Sequence, residues 1–315
     1  MYKTQKTLDS MPDADADGYA LAIASGKGGV GKTTTAVNLG AALAGDYRVA
    51  VVDVDLGMAN LGAMVGLTQP EATVHDVLAE RAPLSAALHE ARGLTVVPGA
   101  TDLREYADAG TESLEAVIAQ LKSRFDVVVL DAGAGLSDDV AAALDVADGV
   151  LLVTTAELHA LTDASKTGEL VERLEVPVVG AVLTGTGSGS FDDVEGLATA
   201  LGTTGSVTVS VPADREVQKS IRTGVPVVFE NESTPAAVAY RRLAASLAET
   251  LEFGEDSPAD PDGFEWVDPE SGAEIDEDPG PVMEVPLETL IDEAGLENEA
   301  DRTQLLGRVR SWFER

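Results

Sequence analysis

The sequence predicts an α/β protein, a doubly wound and mostly parallel sheet with helices on both faces. Three observations predict it. Short apolar runs recur from Tyr19 to about Phe253, helical patterns separate them, and a glycine-rich turn joins the first run to the first helix. The runs are near-continuous Val, Leu, Ile and Ala, as strands covered on both faces require. Their alternation with helices at this spacing makes neighbouring strands parallel, joined by crossovers.

Taken in order, "YALAIAS" is the first strand, and "GKTTTAVNLGAALAG" the first helix, with Gly45 placed to stop it. "RVAVVDV" and "LTVVPG" follow as strands. "TESLEAVIAQLKSRF" reads as a helix that opens at Thr111 and Glu112. "FDVVVLDA", "GVLLVTT", "VPVVGAVLT" and "SVTVSVP" complete the sheet. The composition then changes. Between Gly254 and Asp301 there is no Lys or Arg, and Pro, Gly, Asp and Glu dominate, which reads as an acidic, disordered linker. The expected organisation is a flexible lead over 1–18, one domain over 19–253, the linker over 254–301, and a basic amphipathic helix over 302–315. On that helix Leu305, Leu306, Val309, Trp312 and Phe313 share a face, flanked by Arg308, Arg310 and Arg315.

A hydrophobic share of 44% supports a buried core. No apolar run approaches the ~20 residues of a membrane span, and the first residues lack the apolar stretch of a signal peptide. A cytoplasmic protein is expected. The absence of cysteine excludes disulfides, thiolate metal sites and cysteine nucleophiles. His75, His89 and His159 are far apart in sequence, each in a helical-looking segment, and read as surface or interhelix histidines rather than zinc ligands. The net charge of −34 is spread along the whole chain. This balance resembles proteins of halophiles, for which molar salt shortens the Debye length to ~3 Å and mutes self-repulsion. It also argues against DNA as a partner, because phosphate binding needs a basic patch.

The chemistry is concentrated in "SGKGGVGKTTT". Gly26, Gly31, Lys32 and Thr33 follow the phosphate-loop spacing of glycine, four residues, then Gly-Lys-Thr. Gly26, Gly28, Gly29 and Gly31, with Val30 and Thr34 between and beyond them, let backbone N–H groups turn toward an anion at a helix N-terminus. Lys32 is placed to neutralise β- and γ-phosphate charge, and Thr33 to put its hydroxyl on Mg²⁺. Asp131, in "VVLDAGAG", lies at a strand end, where a carboxylate can hold a magnesium-bound water. Asp53 and Asp55, in "VVDVDLGMANL", lie at another strand end and point to one side by alternation. Like charges so close call for a cation or a polarised water nearby.

Lys27 is surplus to that pattern. With it, "KGGVGKTT" resembles the deviant Walker A box of the MinD/ParA family of dimeric ATPases. The resemblance runs from about Tyr19 to Leu251. It implies ATP and Mg²⁺ as cofactors, a homodimer that sandwiches the nucleotide, and slow hydrolysis. Lys27 would then reach the partner subunit's phosphates while Lys32 serves its own. By the same resemblance Asp55 orients the attacking water, and Asp53 lies near the metal that Thr33 and Asp131 hold. Gly135 senses the γ-phosphate, and Pro212, Ala213 and Asp214 approach the base. Two departures stand out: Thr184 takes the place of an adenine-reading asparagine, and Gly133 or Ala134 that of a proline.

The function implied is spatial positioning in the cell, at the division site, in cell shape or in the motility machinery, with an activating or cargo protein as partner. The helix over 302–315 would hold a membrane surface, peripherally on its inner face, or a protein partner. Two alternatives stay open: a ParA-like ATPase that partitions DNA, and a weakly hydrolysing, nucleotide-gated scaffold.

Overall fold

The computed structural model describes residues 18–101, 111–187, 207–251 and 253. The expected lead before Gly18, the acidic linker and the terminal helix lie outside the described residues. Eight strands form one sheet in the order β3-β4-β2-β5-β1-β6-β7-β8. They are β1 (Tyr19–Ser25), β2 (Val49–Val54), β3 (His89–Ala91), β4 (Leu94–Val97), β5 (Val127–Ala134), β6 (Gly149–Thr155), β7 (Val178–Thr186) and β8 (Val207–Pro212). Every pairing is parallel except β3 with β4.

Side-chain alternation divides the core into two layers. Leu21, Ile23, Val51, Val129 and Val153 face α1 (Lys32–Leu43) and the last described helix, Pro235–Leu251. Ala20, Ala22, Val52, Leu130 and Leu152 face the other way, toward helices that include Leu114–Lys122, Asp138–Asp145 and Leu158–Arg173. All of these sheet residues are fully buried, which explains why the runs carry apolar residues at both parities.

The described helices between are α2 (Leu61–Met64), α3 (Val74–Leu78), α4 (Leu84–Ala87), α5 (Leu114–Lys122), α6 (Asp138–Asp145), α7 (Leu158–Arg173), α8 (Arg215–Thr223), α9 (Val227–Glu230) and α10 (Pro235–Leu251). α5 opens through a 3₁₀ turn at Thr111–Ser113, where a helix start was expected. α1 ends at Leu43, before Gly45, and its cap Ala44 stays right-handed, so that stop owes nothing to glycine geometry.

β3 escapes the sequence pattern. Three residues, "HEA", are too few to display a period, and the strand exists because Arg92 and Gly93 form a tight turn onto β4. Both turn residues have positive φ, 53° and 82°, the signature of a type I′ hairpin. His89 therefore lies in a strand, not a helix. β1 sits between β5 and β6, where the chain's path across the sheet reverses, and its C-terminal end opens onto the crevice that such sheets use for ligands.

Candidate functional site

The loop after β1 is shaped to receive an anion. Gly29 and Gly31 hold φ of 81° and 98°, a left-handed backbone that a side chain would strain. Between them Val30 is buried and pins the loop to the core. Gly31 caps α1 without a side-chain hydrogen bond, and the first helical turn carries no acidic residue. The N–H groups of that turn are thus left for a ligand, with the positive end of the helix behind them. A Cβ at Gly28 or Gly29 would meet nothing within 4 Å, so the outer side of the loop is open. Gly26 is different, because a Cβ there would lie 2.1 Å from the Asp163 carbonyl of α7.

Thr184, at the end of β7, supports the loop from beneath. Its hydroxyl lies 2.5 Å from the Val30 carbonyl and 3.1 Å from that of Thr154, and its side chain packs under Gly31. This corrects the expectation that Thr184 replaces a base-reading asparagine. The hydroxyl proton is committed to the loop's own carbonyl and so is not available to donate to a base.

Asp53 and Asp131 are register partners on β2 and β5, each 1% exposed. Asp53 accepts from the N–H groups of Asp55, Asn60 and Leu61 at 3.2, 3.0 and 3.0 Å. Burial still raises its pKa to about 7, with the Asp55 charge adding to that. Burial also pushes Asp131 well above the carboxylate range, the Asp53 charge adds to this, and the Thr33 hydroxyl and Lys32 ammonium oppose it. Lys32 is 8% exposed; burial lowers its pKa, against the pull of Asp131 and Asp55.

One oxygen of Asp131, Oδ1, is buried with no hydrogen-bond partner. An orphaned carboxylate oxygen beside a threonine hydroxyl suits Mg²⁺ or a water bound to it. Thr33 and Asp131 are the groups that would hold the metal. The oxygens of Asp53 already accept three N–H groups, which makes it above all the organiser of the loop after β2.

Asp55 lies just past the end of β2, so loop geometry, not strand alternation, sets its direction. Its Oδ1 accepts from Met58 N–H at 3.1 Å. Gly133 packs against it: a Cβ there would sit 3.3 Å from Asp55 Oδ1 and 3.1 Å from Val140. Gly135, in the left-handed region at φ 91°, donates its N–H to the Ser25 carbonyl at 3.2 Å. Pro212 ends β8, Ala213 donates to the Thr186 carbonyl, and Asp214 caps α8 by accepting from Glu216 N–H at 2.9 Å. The carboxylate of Asp214 is therefore engaged within the fold.

Lys27 is on the outer rim. Its ammonium lies 3.3 Å from Glu157 at the head of α7, and both side chains are solvent-exposed. Glu157 was not singled out in the sequence; it is 130 positions away and carries no local signal. Asn38 was also missed. It bonds the Thr34 carbonyl at 2.8 Å and accepts from Val228 N–H at 3.3 Å, clipping α1 to α9.

A phosphate loop opening a helix, an adjacent lysine and threonine, and an orphaned aspartate on the neighbouring strand define a P-loop nucleoside-triphosphatase. A family described as an AAA domain matches residues 18–177. The chain belongs to the MinD/ParA family of P-loop ATPases, and ATP and Mg²⁺ are the cofactors of this site. It is 36% identical over 231 residues to an ATP-binding protein of Methanocaldococcus jannaschii, covering 72% of this chain and 87% of that one. With the septum site-determining protein MinD of Bacillus subtilis it shares 34% over 242 residues, covering 73% and 89%. The solved structure of MinD from Pyrococcus horikoshii, complexed with Mg-ADP, superposes with a TM-score of 0.69 at 30% identity, covering 76% of this chain and 99% of that one.

Proposed function

We propose that this chain is a MinD-like ATPase that dimerises on ATP, binds a surface or partner in that state, and is released by hydrolysis. The single observation that carries the reading is Lys27. Lys32 already serves the phosphates of its own loop, whereas Lys27 sits at the exposed rim, where its ammonium makes a solvent-exposed pair with Glu157. An exposed pair of this kind is weak, on the order of 0–1 kcal/mol, and easily exchanged for a partner's phosphate. Lys27 then supplies positive charge to the transition state only when two subunits meet, as an arginine finger does. Asp55 would orient the attacking water, Lys32 and the loop N–H groups would hold the phosphates, and Thr33 and Asp131 would hold Mg²⁺, which when bound would supply charge neutralisation to the nucleotide.

The use is spatial positioning within the cell, at the division site, in shape or in motility, with an activating or cargo protein. A DNA-partitioning role finds little support. Of the basic residues on α8 and α10, Lys219 pairs with Glu216 and Glu230, and Arg241 pairs with Glu232. Among the described residues no helix is long and apolar enough to cross a membrane. The amphipathic pattern over 302–315 supports peripheral attachment to a membrane or a protein, and dimerisation would double the number of anchors and so raise avidity.

Two variants test the reading. Lys27→Ala should bind Mg-ADP as the parent does, yet lose hydrolysis by on the order of a thousandfold. Asp55→Ala should accumulate as an ATP-bound dimer in size-exclusion chromatography. Parent-like hydrolysis by the Lys27 variant would remove the role across the dimer.

A further inference from the structure

The ring of His75 is completely buried, yet both of its nitrogens are engaged. Nε2 lies 2.9 Å from the Leu56 carbonyl, and Nδ1 accepts the Ala100 N–H at 3.0 Å. A carbonyl can only accept, so the proton must sit on Nε2, and the ring is the neutral Nε2–H tautomer. Leu56 is the residue after Asp55. We propose that His75 is a positioning residue for Asp55: it fixes the Leu56 carbonyl and thereby the direction of the carboxylate that orients the attacking water. The proposal rests on the ATPase reading above.

The loop from Asp55 to Asn60 explains why such a residue is needed. At its far end Asp53 holds the N–H groups of Asn60 and Leu61. In the middle Met58 is 79% exposed, so little packing restrains the loop there. At the near end Asp53 also accepts the Asp55 N–H and Asp55 Oδ1 accepts the Met58 N–H, and His75 adds a side-chain bond to the carbonyl of Leu56. The histidine is itself firmly placed. Thr73 and Asp76 close a capping box around the start of α3, and Val74 N–H donates to the Pro98 carbonyl at 2.8 Å. The chain that donates the second bond to the ring passes close to Asp53 as well, since a Cβ at Gly99 would sit 3.2 Å from that carboxylate. One ring thus links the loop after β2 to the loop after β4. His75 touches no reacting group, so its effect must act through Asp55.

The two bonds can be separated by substitution. The amide nitrogen of Gln reaches the ε position and can still donate to Leu56. The amide oxygen of Asn sits at the δ position and can still accept from Ala100. Each variant keeps one bond and loses one, so a purely structural role affects both alike. With full-length protein, His75→Gln and His75→Asn should both bind Mg-ADP, by calorimetry, within about threefold of the parent, as should KM for ATP, because neither loses a phosphate contact. The Asn variant should lose about tenfold in kcat, the scale of one net hydrogen bond, while the Gln variant keeps most of its turnover. Equal kcat in the two variants, whether high or low, overturns the positioning role. A parent that binds Mg-ADP without turning over ATP overturns the ATPase reading and the proposal with it. If either variant fails to fold, ¹⁵N shifts of the His75 ring in the parent decide the matter: the Nε2–H tautomer supports the bond to Leu56, and the Nδ1–H tautomer overturns it.

Discussion

Thr184 illustrates what a single hydroxyl can decide. It lies 154 positions from Val30, yet its oxygen is 2.5 Å from the Val30 carbonyl, inside the turn that wraps the phosphates. Valine has the same shape without the donor. Thr184→Val should therefore cost about 1 kcal/mol in urea denaturation, the net worth of a hydrogen bond. Mg-ADP affinity should fall several-fold, because the loop loses its support. The preference for ATP over GTP should not change, since the hydroxyl faces the loop and not a base. Competition binding with the two nucleotides checks this, and a changed preference would restore base reading to Thr184. Lys27 and Glu157 teach the converse lesson at the same scale. Both are exposed, and such a pair organises little until a stronger anion arrives.

Among the elements, α3 is short but well anchored. Its five residues could not persist alone, since nucleation alone is unfavourable for so short a helix. The Thr73–Asp76 capping box satisfies its first N–H groups, and the buried Val74, His75 and Leu78 attach it to the sheet. Removing the cap with Thr73→Ala should cost about 1 kcal/mol, seen as a lower urea midpoint at unchanged m-value. β3 makes a related point. It has no period of its own, and its pairing follows from a two-residue turn at Arg92 and Gly93. Short elements of this kind take their structure from neighbours, whereas α1 and the central strands announce themselves by length and pattern.

For the whole molecule, charge is the dominant feature. The sequence carries a net charge of −34, and like charges repel one another strongly in dilute buffer. At 0.1 M salt the Debye length is ~10 Å and neighbouring carboxylates still interact; at 1 M it is ~3 Å. The Tm should rise between 0.1 and 2 M KCl, by about 2–4 °C for each kcal/mol of repulsion that is screened. A flat melting profile would mean that ion pairing within the fold already balances the repulsion. The two-layered core is the counterweight. Fully buried residues on both faces of the sheet hold the strand ends, and with them Asp53 and Asp131, at fixed register.

The sequence by itself determined the doubly wound sheet, because continuous apolar strands and a 3.6-residue helical period are local signals. It also determined the phosphate loop, since Gly26, Gly31, Lys32 and Thr33 do their work within one turn of chain. Asp131 and Asp55 were legible from their places at strand ends, although the strand carrying Asp53 stops before Asp55. Only the tertiary structure decided what Thr184 holds, where Lys27 rests, and that a buried His75 joins two loops of the site. The physical reason is common to all three: each depends on contact between atoms far apart along the chain, 154 positions for Thr184, 130 for Lys27, and 19 and 25 for His75. Hydrogen bonds over such separations form only once the strands are in register, so no local pattern records them.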